Sequence, residues 1–285
     1  MTERVAVITD SIANLTPEMV ARYRIGIVPI MLAIQGKIYR DGMDITPTEA
    51  YKMFLQDPER FNTSPSSPGH YLEAYREASK QAPNIFCTTL SSKLSTGYQM
   101  ACVAKEQAKT ELPGVRIEVM DSKNVIAAEG FVALAAARAA EAGKNLAEVI
   151  NSAEEVRERV NYIAFLDTIK HVYRTGRVPK IASQIGAALN LKPILTSSDG
   201  VIRFKTVVKS RHQGISRLIG MLKEKVENRP VHVAVMHAFA PEDAEVLREY
   251  VAVSFNCSEL FITEFSPVMG YATGTGTLGL AFYTD

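Results

Sequence analysis

The sequence lacks tryptophan, has few cysteines and contains no long uncharged apolar run. Its three cysteines, Cys87, Cys102 and Cys257, are odd in number and have no metal-ligand spacing, so they favour reduced thiols and a cytoplasmic location over a disulfide framework. Without about 20 consecutive apolar residues, the chain is not expected to span a membrane. The first residues lead directly into a strand pattern and do not resemble a signal peptide.

Neither sign of charge is in excess. The chain has 32 Lys and Arg against 31 Asp and Glu, for a net charge of +1. This balance argues against nucleic acid as a partner and against attachment to an anionic membrane. With 285 residues, of which 47% are hydrophobic, the composition is that of a globular protein with room for two domains.

Motifs of common cofactor and catalytic sites are absent or fail in their context. Residues 274–279 spell G-x-G-x-x-G, but they lie at the end of the chain, where no βαβ unit of about thirty residues fits. The sequence contains no P-loop, no G-x-S-x-G elbow and no H-E-x-x-H motif, and its five histidines have no ligand spacing. We therefore predict no cofactor, no metal site and no catalytic residue.

The N-terminal part alternates apolar runs with helix signals. Val5–Thr9 predicts a buried parallel strand that ends at the polar pair Asp10–Ser11, and Ile25–Ile34 predicts a second strand. Further along, Ser152 and Glu155 have the spacing of a capping box within the predicted helices. Strands alternating with helices indicate an α/β fold with a parallel layer.

The pattern changes near residue 160. Pro193–Leu195 and Val201–Phe204 flank a Ser-Ser-Asp-Gly turn and predict a β-hairpin, which further helices and strands follow. We therefore predict two α/β domains, an N-terminal domain of residues 1–160 and a C-terminal domain of residues 161–285.

Three segments combine hydroxyl groups with glycine or proline and are candidates for ligand binding. They are residues 63–68, 91–98 and 270–276. Ser95 or Thr96 at a helix N-terminus, facing Thr63, would hold a carboxylate or phosphate without a full positive charge, because free N–H groups and the positive end of the helix dipole attract anions. Ordinary helix capping by Ser and Thr is the simpler explanation of the same residues from the local sequence alone.

Seven motifs in a fixed order resemble the DegV family over nearly the whole chain. They are AVITDS at 6–11, TSPSSPG at 63–69, LSSKLSTGYQ at 90–99, DSKNV at 121–125, RTGRV at 174–178, KPIL with DG at 192–200, and GYATGTGTLGLAFY at 270–283. None is decisive alone, but the ordered set is specific.

This resemblance implies two α/β domains of the DegV/EDD-like type, with a lipid tunnel at their junction. A long-chain fatty acid such as palmitate would lie in the tunnel, with its carboxylate held by Thr63 and Ser95. Ser64, Thr96 and Thr273 belong to the same motifs. In FakB-like members, the carrier presents the acid to a separate fatty acid kinase.

The sequence departs from the family pattern at the motifs that contact the head group. The family's LSGTY is Leu-Ser-Thr-Gly-Tyr here, and its His in GxHTGPG is Ala272. Because that His helps to hold the head group, its absence leaves two alternatives: hydroxyl and backbone donors suffice for a carboxylate, or the pocket takes a different amphiphile.

A local basic bias marks a candidate docking surface. Residues 170–211 contain nine Lys and Arg but a single acid, Asp199. Arg174 and Arg177 lie in a motif shared with the family and are candidates for docking a kinase, whereas a solvated basic face is the alternative.

Two further functions remain open besides a carrier. A regulatory lipid sensor would have the same fold. An enzyme that processes an acyl or phosphoryl group would use Ser95 as its nucleophile, and a nucleophilic serine needs a base. His70 is the nearest candidate base in the sequence.

Overall fold

The computed structural model describes residues 4–172, 175–177 and 191–285. It divides into two compact units. Unit 1 is built from Met1–Ile45 and Thr63–Glu158, and unit 2 from Thr46–Asn62 and Arg159–Asp285. One boundary therefore falls beside the predicted residue 160, but residues 46–62, placed in the N-terminal domain from the sequence, group with the C-terminal unit.

Helices and strands alternate along most of the chain. The helices are α1 (Pro17–Tyr23), α2 (Pro47–Gln56), α3 (Pro68–Ser79), α4 (Gly97–Glu111), α5 (Ala127–Glu141), α6 (Leu146–Arg159), α7 (Arg211–Val226), α8 (Pro241–Ser254) and α9 (Pro267–Thr273). The strands are β1 (Val5–Asp10), β2 (Gly26–Val28), β3 (Met31–Ile34), β4 (Lys37–Arg40), β5 (Phe61–Ser64), β6 (Asn84–Thr89), β7 (Arg116–Asp121), β8 (Asn161–Phe165), β9 (Lys192–Ser198), β10 (Val201–Val208), β11 (Val231–His237), β12 (Cys257–Glu264) and β13 (Leu278–Thr284). Among the described residues, every helix is too short or too polar to cross a bilayer.

Unit 1 contains a parallel sheet of order β2-β1-β6-β7. Every residue of β6 is buried, as expected for a strand with helices on both faces of its sheet. α3 and α4 share a core with β1 and β6, while α5 packs against β1 and the 3-10 turn that follows it. Gly130 permits this close approach, because a Cβ there would lie 2.4 Å from the carbonyl oxygen of Ala13.

Two local predictions for unit 1 were wrong. Ile25–Ile34 is not one strand, because the chain leaves the parallel sheet at Pro29, which has no N–H, and continues as β3 in a small sheet of order β4-β3-β5. The capping box of α6 is not formed by Ser152 and Glu155. It lies about two turns earlier, at the N-terminus of the helix. There Asn145 Oδ1 accepts the N–H of Glu148 at 3.1 Å, and Glu148 Oε2 accepts the N–H of Asn145 at 2.9 Å.

Unit 2 contains a mixed sheet of order β10-β9-β8-β13-β11-β12, in which β11 and β12 alone are parallel neighbours. The predicted hairpin is confirmed as β9 and β10. Asp199 and Gly200 form its tight turn, with φ of 52° and 76°, the positive values that a two-residue hairpin turn requires. α7 and α8 contribute Leu218 and Leu247 to the core of the sheet.

Buried aromatic contacts explain why residues 46–62 belong to unit 2. The hydroxyl of Tyr51 on α2 donates to the carbonyl of Phe265 at 2.9 Å. Phe54 packs edge-on against Phe61, with the ring centroids 5.4 Å apart, and Phe61 stacks on Tyr271 at 5.7 Å. These side chains bury their apolar surface within unit 2, although most of that unit lies more than 100 residues later in the chain.

Candidate functional site

Polar residues gather at the carboxyl edge of the parallel sheet in unit 1. β1 ends at Asp10, followed by Ser11; β6 is followed by Ser91; and β7 ends at Asp121. β2 and β6 lie on opposite sides of β1, so the order of strands reverses at this point. In open α/β sheets, ligands bind outside the carboxyl ends of the strands at such a reversal.

The loop between β6 and α4 is held by three consecutive backbone N–H groups. The N–H of Leu90 donates to Asp10 Oδ2 at 2.9 Å. The N–H of Ser91 donates to the carbonyl of Asn124 at 2.9 Å, and that of Ser92 donates to Asp121 Oδ1 at 3.1 Å. The carbonyl of Ser91 then accepts the N–H of Ser95 at 3.2 Å. The acceptors come from the ends of β1 and β7, so the sheet edge determines the loop's conformation.

Ser95 lies at the N-terminal end of a helix of 15 residues, two positions before its first residue, Gly97. Its Oγ accepts the N–H of Gly97 at 3.3 Å, a bond that uses the oxygen and leaves the hydroxyl hydrogen to donate. Thr96 is the N-cap residue, but its exposed side chain makes no capping bond. The capping explanation therefore applies to Ser95 and not to Thr96, and it is compatible with donation by Ser95 to an anion.

The segment from the end of β5 to Ser66 is also fixed to the sheet edge. Thr63 is half-buried and Ser64 is exposed, whereas the buried Ser66 donates its hydroxyl to the carbonyl of Pro29 at 2.6 Å. The next residue, Ile30, donates its N–H to Ser11 Oγ at 3.1 Å. The Thr63 segment and the Ser95 loop are thus both connected to the end of β1.

His70 serves the N-terminus of α3. Its Nδ1 accepts the backbone N–H of Ser67 at 3.2 Å, in a capping box with the Ser67 hydroxyl. This contact occupies one nitrogen of the imidazole in capping the residue's own helix.

Two carboxyl groups that the sequence did not single out as site residues are fully buried at this edge. Asp10 accepts N–H groups from Ile12 and Leu90, each at 2.9 Å, and Glu129 on α5 accepts the Thr9 hydroxyl at 3.0 Å. Burial raises the pKa of Asp10 to about 6. Burial, together with the Asp10 carboxyl, also raises the pKa of Glu129. The signal for Glu129 in the sequence is an acid inside an otherwise apolar, Ala-rich helix.

The third hydroxyl-rich segment lies in unit 2, around the end of α9. Ala272 is half-buried and offers no polar group. Thr273 is buried, and its hydroxyl donates to the carbonyl of Met269 at 3.0 Å. Because that bond uses its hydrogen, Thr273 in this conformation offers a ligand an acceptor and not a donor.

An imidazole nevertheless lies beside this segment, from a residue that the sequence analysis passed over. A Cβ added at Gly274 would lie 2.6 Å from Cδ2 of His171, so the ring is in close contact with the glycine. The same ring lies 5.3 Å from that of Phe54. The sequence offered no sign of this contact, because about a hundred residues separate His171 from the segment.

The basic window, residues 170–211, is only partly available for docking a partner. Arg174 lies outside the described residues, and Arg177 is exposed, with Nη1 donating to the carbonyl of Thr175 at 2.7 Å. Lys192 and Arg211, by contrast, are paired with acids of unit 2. Lys192 lies 2.7 Å from Asp167, and Arg211 lies 2.7 Å from the carboxylate of Asp243. These two cations contribute to the fold of unit 2.

Comparison with known proteins gives matches over nearly the full length of the chain. The sequence model of the DegV family, described as an uncharacterised protein family, matches residues 4–285. A DegV domain-containing protein from Caldanaerobacter subterraneus subsp. tengcongensis is 32% identical over 264 residues, which are 92% of this chain and 91% of the relative.

Solved structures match the fold equally completely. A DegV family protein from Thermus thermophilus, described by its fatty acid binding, has a TM-score of 0.89 at 28% identity and covers 99% of this chain and 100% of its own. DegV from Bacillus subtilis, described as a fatty acid binding protein, has a TM-score of 0.89 at 26% identity, with the same coverage. These matches confirm the predicted α/β fold class.

Proposed function

Because the chain belongs to the DegV family, we propose that it binds a long-chain fatty acid such as palmitate and acts as a carrier. The hydroxyls of Thr63 and Ser95 hold the carboxylate, and Ser64 and Thr96 lie next to them in the same two segments. The binding needs no cofactor and no metal ion.

The position of Ser95 is the observation that carries this proposal. Its hydroxyl stands at the N-terminus of α4, at the carboxyl edge of the sheet, with its hydrogen available to donate. A helix N-terminus favours an anion, and a hydrogen bond to a charged group contributes about 1.5–3 kcal/mol. Fatty acid binding by relatives of the same fold supports a carboxylate as that anion.

The acyl chain supplies most of the affinity. Burying a methylene group contributes about 0.8 kcal/mol, so ~14 methylenes give roughly 11 kcal/mol before the costs of association are subtracted. The head-group hydroxyls therefore determine which end of the ligand is bound and how it is oriented, while the chain determines how tightly it is held.

Presentation of the acid to a separate fatty acid kinase is the finer part of the proposal. Family resemblance at the Arg174–Arg177 motif and the exposure of Arg177 support a docking role for this pair. Charges at the rim of a contact act mainly on the rate of encounter, so they assist docking without holding the lipid.

Mass spectrometry of the organic extract from purified protein tests lipid binding directly. The expected result is a long-chain fatty acid at about one per chain, and delipidated protein should take up added palmitate in an isothermal titration. A clean extract together with no heat of binding for fatty acids of any chain length would overturn the proposal.

A further inference from the structure

Asp10 and Ser11 connect the end of β1 to both segments that are proposed to hold the head group. Asp10 Oδ2 holds the N–H of Leu90, at the start of the loop that leads to Ser95. Ser11 Oγ holds the N–H of Ile30, and the adjacent carbonyl of Pro29 accepts the Ser66 hydroxyl in the segment that begins at Thr63. A change at the end of β1 therefore reaches both segments through a few direct hydrogen bonds.

The two oxygens of Asp10 each accept one backbone N–H, from Ile12 and from Leu90. An ionised carboxylate has acceptor sites on both oxygens, whereas a protonated carboxyl turns one oxygen into a hydroxyl donor. Protonation therefore removes the negative charge that strengthens both bonds. The N–H of Leu90 then loses a charge-assisted hydrogen bond, which is shorter and roughly twice as strong as a neutral one.

The surroundings of Asp10 disfavour its negative charge. Its burial is the main cause of the raised pKa, and the acid Asp41, in the turn after β4, adds to it. Glu129 on α5 acts in the opposite direction, because its hydrogen bond with Asp10 favours the ionised form of Asp10. Cys87 of β6 and Tyr71 of α3 also lie within electrostatic reach of Asp10, and Asp121 of β7 acts on Glu129. No cation is among these groups. Of the two acids in contact, Glu129 keeps its proton to a higher pH than Asp10 does, so the group that takes up a proton in the mildly acidic range is Asp10.

We propose that Asp10 is a positioning residue for the head-group site, and that its protonation beside the buried Glu129 carboxyl weakens ligand binding. The ionised form holds the Ser95 loop in its binding conformation, and the protonated form releases it. Fatty acid binding is thereby coupled to pH in the mildly acidic range. This inference rests on the proposed head-group role of Ser95.

The test uses a ligand that does not itself titrate. A hexadecyl sulfonate remains ionised throughout the range, so any change in its affinity between pH 4.5 and pH 8 comes from the protein. In the parent, we expect its affinity to fall roughly tenfold on acidification through pH 6, which corresponds to about 1.4 kcal/mol. Asp10→Asn should bind with the parent's low-pH affinity at every pH. Asp57→Asn, the same substitution at a position in unit 2, should reproduce the parent's profile.

A measurement on the unsubstituted protein makes the test independent of how Asp10→Asn folds. The amide resonance of Leu90 should shift with a midpoint near the pKa of Asp10, about 6. A flat Leu90 profile, or an Asp10→Asn variant that retains the parent's neutral affinity or its pH dependence, would overturn the inference while leaving the carrier function intact. A parent protein that binds neither sulfonate nor palmitate at any pH would overturn both.

Discussion

The hydroxyl of Tyr51 donates to the carbonyl of Phe265, 214 positions later in the chain, at 2.9 Å. Both residues are fully buried. The ring of Tyr51 also occupies the space beside Gly270, where a Cβ would lie 2.2 Å from it. This contact attaches α2 to the segment that carries Ala272 and so completes unit 2 with residues from the first quarter of the sequence.

Tyr51→Phe should destabilise the protein by about 1–3 kcal/mol, because it leaves the buried carbonyl of Phe265 without its hydroxyl donor. Urea denaturation followed by circular dichroism measures this change. Tyr250→Phe is the matched control, because Tyr250 is 52% exposed on α8 and its substitution should change the free energy of unfolding very little. Equal stabilities for the two variants would contradict a structural role for the Tyr51 hydroxyl.

Thr63→Ala and Ser95→Ala should each weaken palmitate binding by roughly 1.5–3 kcal/mol, the contribution of one hydrogen bond to a charged group. The affinity for palmitate methyl ester should fall less, because the ester carries no charge. Thr110→Ala, an exposed position near the other end of α4, is the control. If both variants bind palmitate as tightly as the parent does, the head group is held elsewhere.

Ala272→His should strengthen the binding of ionised fatty acids and have a smaller effect on their methyl esters. The side chain at this half-buried position of α9 would add a hydrogen-bond donor, which a carboxylate uses better than an ester does. Titration of both ligands into Ala272→His and into Ala272→Leu separates donation from added volume. Equal gains for acid and ester in the His variant would show that the residue only fills space.

The contribution of Asp10 to stability should fall as the pH rises from about 4 to about 6. The pKa of Asp10 is raised from 3.8 to about 6 in the folded protein, so between these values the folded state binds more protons than the unfolded state. The linked loss of stability is about 3 kcal/mol and is complete above pH 6. Comparing the unfolding free energies of the parent and of Asp10→Asn across this range isolates the effect, because only the parent carries the Asp10 carboxyl group. An unchanged difference between the two proteins from pH 4 to pH 7 would refute it.

Arg174→Glu combined with Arg177→Glu should leave palmitate affinity nearly unchanged and sharply reduce acyl phosphate formation by a cognate fatty acid kinase. The reaction of the parent should slow as salt is added, because salt screens charges at an exposed contact. Arg203→Glu with Lys205→Glu, at exposed positions of β10 in the same basic window, is the matched control. Loss of palmitate binding in the first double variant would assign these arginines to the pocket or the fold.

Local patterns in the sequence determined much of the architecture. The apolar run before Asp10 predicted β1, the Asp199–Gly200 turn predicted the hairpin of β9 and β10, and the alternation of strands and helices predicted the parallel layer. The individual strands and the hairpin turn depend on neighbouring residues, where hydrophobic periodicity and turn chemistry act. The ordered motifs similarly identified the family.

Tertiary structure alone decided the features that join distant residues. Asp10 meets Leu90 80 positions away, Thr9 meets Glu129 120 positions away, and Tyr51 meets Phe265 across most of the chain. A carboxylate at the end of a strand predicts a polar sheet edge, but it does not predict which group the carboxylate will bond. The partner is determined by which strand pairs with β1 and which helix covers it. For the same reason, residues 46–62 joined unit 2: the burial of their aromatic side chains depends on surface that the local sequence does not contain.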